Sequence, residues 1–102
     1  MAKLLVLYKT PTDPVAFDRH YAEIHIPIAK KMPGLRKFDV SRGPVTGPAG
    51  ASDVYFIATL QFDDVAAIHA AFASPAGQAA SADVPKFATG GVEMYMFDTH
   101  EV

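Results

Sequence analysis

Three segments of this 102-residue chain alternate side chains in such a way that both faces carry apolar groups, and a fourth alternates with more polar ones. This doubled apolarity is what most restricts the fold. Residues 3–9 place Leu4, Val6 and Tyr8 on one side and Leu5, Leu7 and Lys9 on the other. A strand of that kind belongs in the middle of a sheet, covered on both sides. Residues 53–62 line Val54, Phe56, Ala58, Leu60 and Phe62 against Tyr55, Ile57, Thr59 and Gln61. Residues 92–97 set Val92, Met94 and Met96 against Glu93, Tyr95 and Phe97. Residues 35–42 suit an edge strand, with Arg36, Phe38, Val40 and Arg42 against Leu35, Lys37, Asp39 and Ser41. A chain of this length makes one domain, residues 1–102. It buries only roughly 60–70% of its surface on folding. The expectation is a sheet with apolar side chains left on the face the helices do not reach, and a second copy hiding them.

The helices announce themselves through their caps. Asp13 is an N-cap followed by Pro14 at the first helical position. Behind it, Phe17, Tyr21, Ile24 and Ile28 form one apolar stripe. Pro27 lies inside that pattern and should kink the helix or end its regular part. Lys30 to Gly34 closes the unit. Asp63 or Asp64 caps a second helix whose inner face is read as Val65, Ile68, His69 and Phe72. Ser74-Pro75 repeats the cap-then-proline signal and starts a further helix to about Lys86, and Gly90-Gly91 ends it. Residues 43–52, rich in Gly, Pro and Ala, read as a surface loop suited to a hairpin tip or lid. The order is βαββαβ, the ferredoxin-like α+β plan with a four-stranded antiparallel sheet.

Several functional classes lose support at once. The net charge is −2 with both signs scattered, so there is no basic stripe for nucleic acid. No run approaches the roughly 18–20 apolar residues of a membrane span, and no export signal is read at the N-terminus, which makes the cytoplasm the expected compartment. There is no cysteine, hence no thiolate nucleophile, disulfide or cysteine metal site. No carboxylate–histidine group has ligand spacing, and His20 and His25 stand about 140° apart on an ideal helix, so no metal is expected. Glycine-rich phosphate loops, a nucleophile elbow and haem or flavin signatures are all missing, so no cofactor is expected either.

In order and spacing the chain carries Tyr8-Lys9, His25-Ile26-Pro27-Ile28-Ala29, Met32-Pro33-Gly34-Leu35, Phe72-Ala73-Ser74-Pro75-Ala76-Gly77-Gln78 and the run from Asp83 to Val92. With these it resembles the EthD family of the dimeric α+β barrel superfamily over nearly its whole length. The resemblance implies a homodimer whose two sheets form a barrel, and a pocket between sheet and helices. The family is named after a protein required for bacterial ethyl tert-butyl ether degradation. Related barrels include muconolactone and methylmuconolactone isomerases, cofactor-free polyketide cyclases, quinone-forming monooxygenases and haem-degrading monooxygenases; fold membership does not choose among them. The methylmuconolactone isomerases use a histidine with a cysteine, and a chain without cysteine does not inherit that mechanism whole.

His25 is the first catalytic candidate. It lies beside the first helix's apolar stripe, and Pro27 should free a backbone carbonyl for one ring nitrogen while the other faces a pocket. An imidazole near neutrality suits acid–base work. His69, read onto the inner stripe of the second helix, is the other, with a tyrosine as partner. His20 is read as half exposed and His100 as a tail residue. Tyr8, Tyr21 and Tyr55 are candidate ligand-binding phenols, Tyr8 foremost because it ends the central first strand. Three functions stay open: proton transfer on a small apolar carbonyl compound using side chains alone, non-catalytic binding of an apolar ligand or an accessory role in catabolism, and a structural interaction dimer whose histidines are satisfied internally.

Overall fold

A computed structural model describes all residues, Met1–Val102. The chain runs β1 (Ala2–Lys9), α1 (Pro14–His20), a π-helical turn (Tyr21–His25), α2 (Ile26–Ala29), β2 (Lys37–Val40), a two-residue hairpin β3 (Thr46–Gly47) and β4 (Gly50–Ala51), β5 (Val54–Phe62), α3 (Val65–Ala73), α4 (Pro75–Phe87) and β6 (Val92–Asp98). The main sheet has the order β2-β5-β1-β6 and is antiparallel throughout. This is the ferredoxin-like arrangement, with β1 central and β2 at an edge as the hydrophobic pattern indicates. No helix is long and apolar enough to cross a membrane.

The caps do what their side chains dictate. Asp13, Asp64 and Ser74 accept hydrogen bonds from the amides of Ala16, Ala67 and Gly77. Of the two aspartates before α3, Asp64 is the cap; Asp63 instead receives two hydrogen bonds from Arg36, at 3.0 and 2.9 Å. Gly77 is required where α4 turns back on α3, because a Cβ there would fall inside the carbonyl of Ala71.

All helices lie on one face of the sheet. That face carries Ala2, Leu4, Val6 and Tyr8 from β1 and Ala58, Leu60 and Phe62 from β5, all buried. Across the register, the opposite face carries Leu5, Leu7, Ile57 and Thr59, half-buried, and Tyr95 and Phe97, exposed. The molecule is a slab of 35 × 33 × 18 Å with one dry side and one open side.

The first helix departs from the expected stripe. Pro27 has no N–H for the Glu23 carbonyl, and its ring crowds that carbonyl out of a regular turn. The chain takes up one π turn, in which the Ile26 amide bonds the Tyr21 carbonyl five residues back. Residues beyond the turn are thereby rotated. Ile24, expected to face inward, is 46% exposed, and the buried line runs Phe17, Tyr21, His25, Ala29. Tyr55 is displaced too. The β1–β5 register slips between Tyr8 and Lys9, where Tyr8 faces Phe56 and Lys9 faces Val54. This bulge turns Tyr55 from the open face toward the helices.

Candidate functional site

The first helix and α4 converge on one carboxylate. Asp83 sits on the inner stripe of α4 among Ala80, Val84 and Phe87 and is 4% exposed. A charge among apolar neighbours needs partners, and it has two. His25 Nδ1 lies 2.9 Å from Asp83 Oδ2. His20 Nε2 lies 2.8 Å from Oδ1 and 3.0 Å from Oδ2. On a regular helix two residues five apart diverge, but the π turn closes once per five-residue step, so both imidazoles reach the same group. The freed backbone carbonyl expected to hold His25 is not its partner; the carboxylate is the stronger acceptor and is aimed at the ring.

Phe87 packs between the imidazoles. It is stacked on His20, with centroids 5.2 Å apart and planes at 29°, and tilted against His25 at 4.8 Å. Tyr21 borders His25 at 5.1 Å, and Tyr8 meets Tyr21 edge-on at 5.8 Å.

Two hydrogen-bonding imidazoles shape the electrostatics. Burial works against the Asp83 carboxylate, but the bonds from His20 and His25 outweigh it and hold Asp83 below the usual carboxylate range. It is therefore ionised at neutral pH and accepts hydrogen bonds only, so His25 donates through Nδ1–H. Burial pushes His25 below the ordinary histidine value; Asp83 opposes the shift and the neighbouring His20 adds to it. The neutral ring then keeps a lone pair on Nε2, which makes no hydrogen bond. Tyr8 and Tyr21 are both raised, chiefly by burial, with the Asp83 charge adding to the effect on Tyr8, and remain O–H donors.

These groups border a cavity of about 40 Å³ between sheet and helices, room for a few waters. Its walls are apolar apart from His25, Tyr8, Tyr21 and Ser81. Met32 lines the interior, while Met94, 41% exposed on edge strand β6, marks the outer side.

Of the residues singled out in the sequence, the structure brings His25, Tyr8 and Tyr21 together at this cavity. His69 is not with them. It stands about 100° around α3 from buried Ile68, and the inner line runs from Ile68 to Ala71, which leaves the imidazole exposed. Tyr55 is also elsewhere. Its hydroxyl donates to Asp18 Oδ1 at 2.8 Å, at the border of an outer cleft of about 580 Å³ beside the 43–52 hairpin. His100 is exposed in the tail. Asp83 was missed as a site residue, although an aspartate on a stripe that otherwise reads Ala80, Val84, Phe87 is a visible signal. His20 was read as a bystander for want of the π turn.

The model of the EthD domain matches residues 9–91. The chain belongs to the EthD family. An uncharacterised 11.0 kDa protein from the thcB-thcC intergenic region of Rhodococcus erythropolis is 37% identical over 102 residues, which span 100% of this chain and 98% of that one. The crystal structure of an EthD family protein from Bacillus halodurans C-125 superposes with a TM-score of 0.89 at 35% identity, over 98% of this chain and 99% of that one. SnoaB, a cofactor-independent oxygenase from Streptomyces nogalater, shares the fold at 15% identity, with a TM-score of 0.71 over 99% of this chain and 94% of that one.

Proposed function

We propose that this EthD protein moves a proton on a small, mostly apolar carbonyl compound, such as a lactone, an aromatic precursor or a polyketide-like acid, and that it works as a homodimer. The observation that carries the reading is the 2.9 Å bond from His25 Nδ1 to buried Asp83, on a ring whose other nitrogen is free at an apolar cavity. His25 Nε2 takes the proton from carbon next to the carbonyl. Asp83 fixes the tautomer and steadies the imidazolium that forms. The phenols of Tyr8 and Tyr21 offer O–H groups to the developing enolate oxygen. The protonated imidazole then returns the proton at a second position. Apolar walls select an apolar body, and the flexible side chains of Met32 and Met94 yield to admit it. SnoaB shows that this fold accommodates an oxygenase described as cofactor-independent.

The dimer rests on the open sheet face. Leu5, Leu7, Ile57 and Tyr95 make its centre, and Lys3, Lys37, Asp39 and Glu93 supply both signs of charge on the same face. A two-fold partner can match such a face with itself, and the 35 × 33 Å slab has room for the roughly 800 Å² per partner of a standard interface.

A thermal-shift screen with lactones, catechols and polyketide-like acids tests the catalytic reading, each hit being retested on His25→Ala. Hits that stabilise the parent, lose their effect in the variant and exchange the proton next to their carbonyl with deuterium from heavy water support it. Hits that stabilise both proteins equally contradict it. The small volume of the cavity favours a second reading, in which His25 only pins the helix to α4; the absence of any hit combined with a destabilised His25→Ala is its expected result.

A further inference from the structure

We propose that the outer cleft beside the 43–52 hairpin binds an uncharged compound with neighbouring hydroxyl groups, a sugar or polyol, and that Asp18 and Tyr55 recognise it.

The cleft draws its polar groups from distant parts of the chain. Thr10 follows β1, Asp18 comes from α1, Ser41 follows β2, Thr46 and Ser52 belong to the hairpin and its exit, and Tyr55 lies in β5. Its volume of about 580 Å³ falls in the usual range of roughly 300–1,000 Å³ for small-molecule sites. It shares no lining residue with the inner cavity. Phe56 stands between the two: it lines the cleft, and its ring meets Tyr21 at 4.7 Å and Tyr8 at 6.1 Å on the cavity side.

The groups that would meet a ligand are held in place. The Tyr55 ring stands edge-on to Phe17, with centroids 5.3 Å apart and planes at 85°, while its hydroxyl donates to Asp18 Oδ1 at 2.8 Å. Burial pushes this phenol above its ordinary value and Asp18 adds to the shift, so the O–H is kept. Tyr55 takes only Oδ1, which leaves Asp18 Oδ2 for a ligand. Ser41 Oγ accepts the Ile57 amide and Ser52 Oγ the Val54 amide, each at 3.0 Å. Both oxygens are thereby fixed, and each still has its own proton to give. Thr10 and Thr46 add two further hydroxyls.

Such a lining both gives and accepts hydrogen bonds. A ligand hydroxyl does the same, so neighbouring hydroxyls can satisfy the carboxylate and the side-chain O–H groups together. An ammonium group only donates and would leave the serine and threonine protons unused. A carboxylate or phosphate would face Asp18 with no cationic side chain on the lining to hold it. Val45, Val54 and the Phe56 ring supply apolar surface for the C–H side of the ligand.

Amide resonances of the protein, followed during titration with glycerol, inositol and methyl glucoside, test this, with ethanolamine and acetate as the contrasting probes. Shifts confined to the cleft residues are expected with the hydroxylated probes, and a Kd weakened about tenfold or more in Asp18→Ala. Asp18→Asn still accepts from Tyr55 and keeps the shape of the cleft; it is expected to weaken binding less. No cleft shift with any hydroxylated probe, larger shifts with ethanolamine or acetate, or binding unaltered in both variants overturns the proposal. The three hydroxylated probes carry no carbonyl group, so the outcome stands apart from the chemistry proposed for His25.

Discussion

The two faces of the sheet differ in what they leave unfinished. The helix-covered face is packed, and its one buried carboxylate has two imidazole partners. The open face carries half-buried Leu5, Leu7 and Ile57 and exposed Tyr95 and Phe97, and its hydrogen-bonded polar groups, the Tyr95 hydroxyl, Glu93 and Lys9, are all reached by solvent. The first face spends apolar burial to hold a charge in a defined place. The second holds apolar area in reserve. Alternation in the strands produces both, and the helices, all on one side, decide which face holds the candidate site and which is left for the proposed seam.

The largest way to break this contrast is on the open face. Leu5→Lys and Ile57→Lys together place charges at the proposed seam, twice over by symmetry. Each lost apolar side chain is worth about 1.5–3 kcal/mol, so the dimer is expected to weaken by about a thousandfold or more in sedimentation at micromolar concentration. A variant as dimeric as the parent would move the seam elsewhere. On the covered face, Asp83→Ala is expected to cost about 3 kcal/mol in chemical denaturation at fixed protein concentration, because two imidazoles lose their acceptor in a dry site. Association should survive it. A cost as small as that of a surface change would show that the cluster is not buried in solution.

Acid sharpens the contrast further. His25 is held below its ordinary value and binds protons less readily when folded. Its contribution to stability is complete above about pH 6.5 and is lost as the pH falls below that. Asp83 is lowered as well, so its contribution lies above the ordinary carboxylate value near pH 4 and is lost below it. Both act in the same direction. Thermal scans are expected to be flat from pH 8 to 7 and to decline on acidification. In Asp83→Ala the component below about pH 4 should shrink, while in the open-face variant the whole profile should persist. A parent more stable at pH 5 than at pH 7 would contradict this. The smallest expected effect is that of Pro27→Ala. Restoring an amide at position 27 allows a regular turn, a gain of up to about 3 kcal/mol that offsets the buried His25–Asp83 bond it breaks, so net stability should change little while His25 rotates away from Asp83, visible as a shifted imidazole resonance.

Much of the fold is legible in the residues themselves. Asp13-Pro14 and Ser74-Pro75 mark helix starts because proline lacks the N–H that a first turn leaves unpaired, and period-two alternation marks β1, β5 and β6. The site was half legible. His25 and the two phenols follow from their places beside Phe17 and on β1. What failed was regular geometry applied to irregular backbone. Regular helix geometry up to the kink at Pro27 places Ile24 inside and His20 apart from His25, and plain alternation groups Tyr55 with Ile57, Thr59 and Gln61; the π turn and the bulge undo both. His69 was assigned to a stripe drawn one position too wide. Asp83 was overlooked because its meaning lies in contacts with residues 58 and 63 positions away.

The most direct measurement is the tautomer of His25 at neutral pH, read from its ring nitrogen resonances in the ligand-free protein. A neutral ring protonated at Nδ1, with an unprotonated Nε2, is the expected result. A ring protonated at Nε2, or an imidazolium at pH 7, would leave no base at the cavity and would contradict the proposed chemistry.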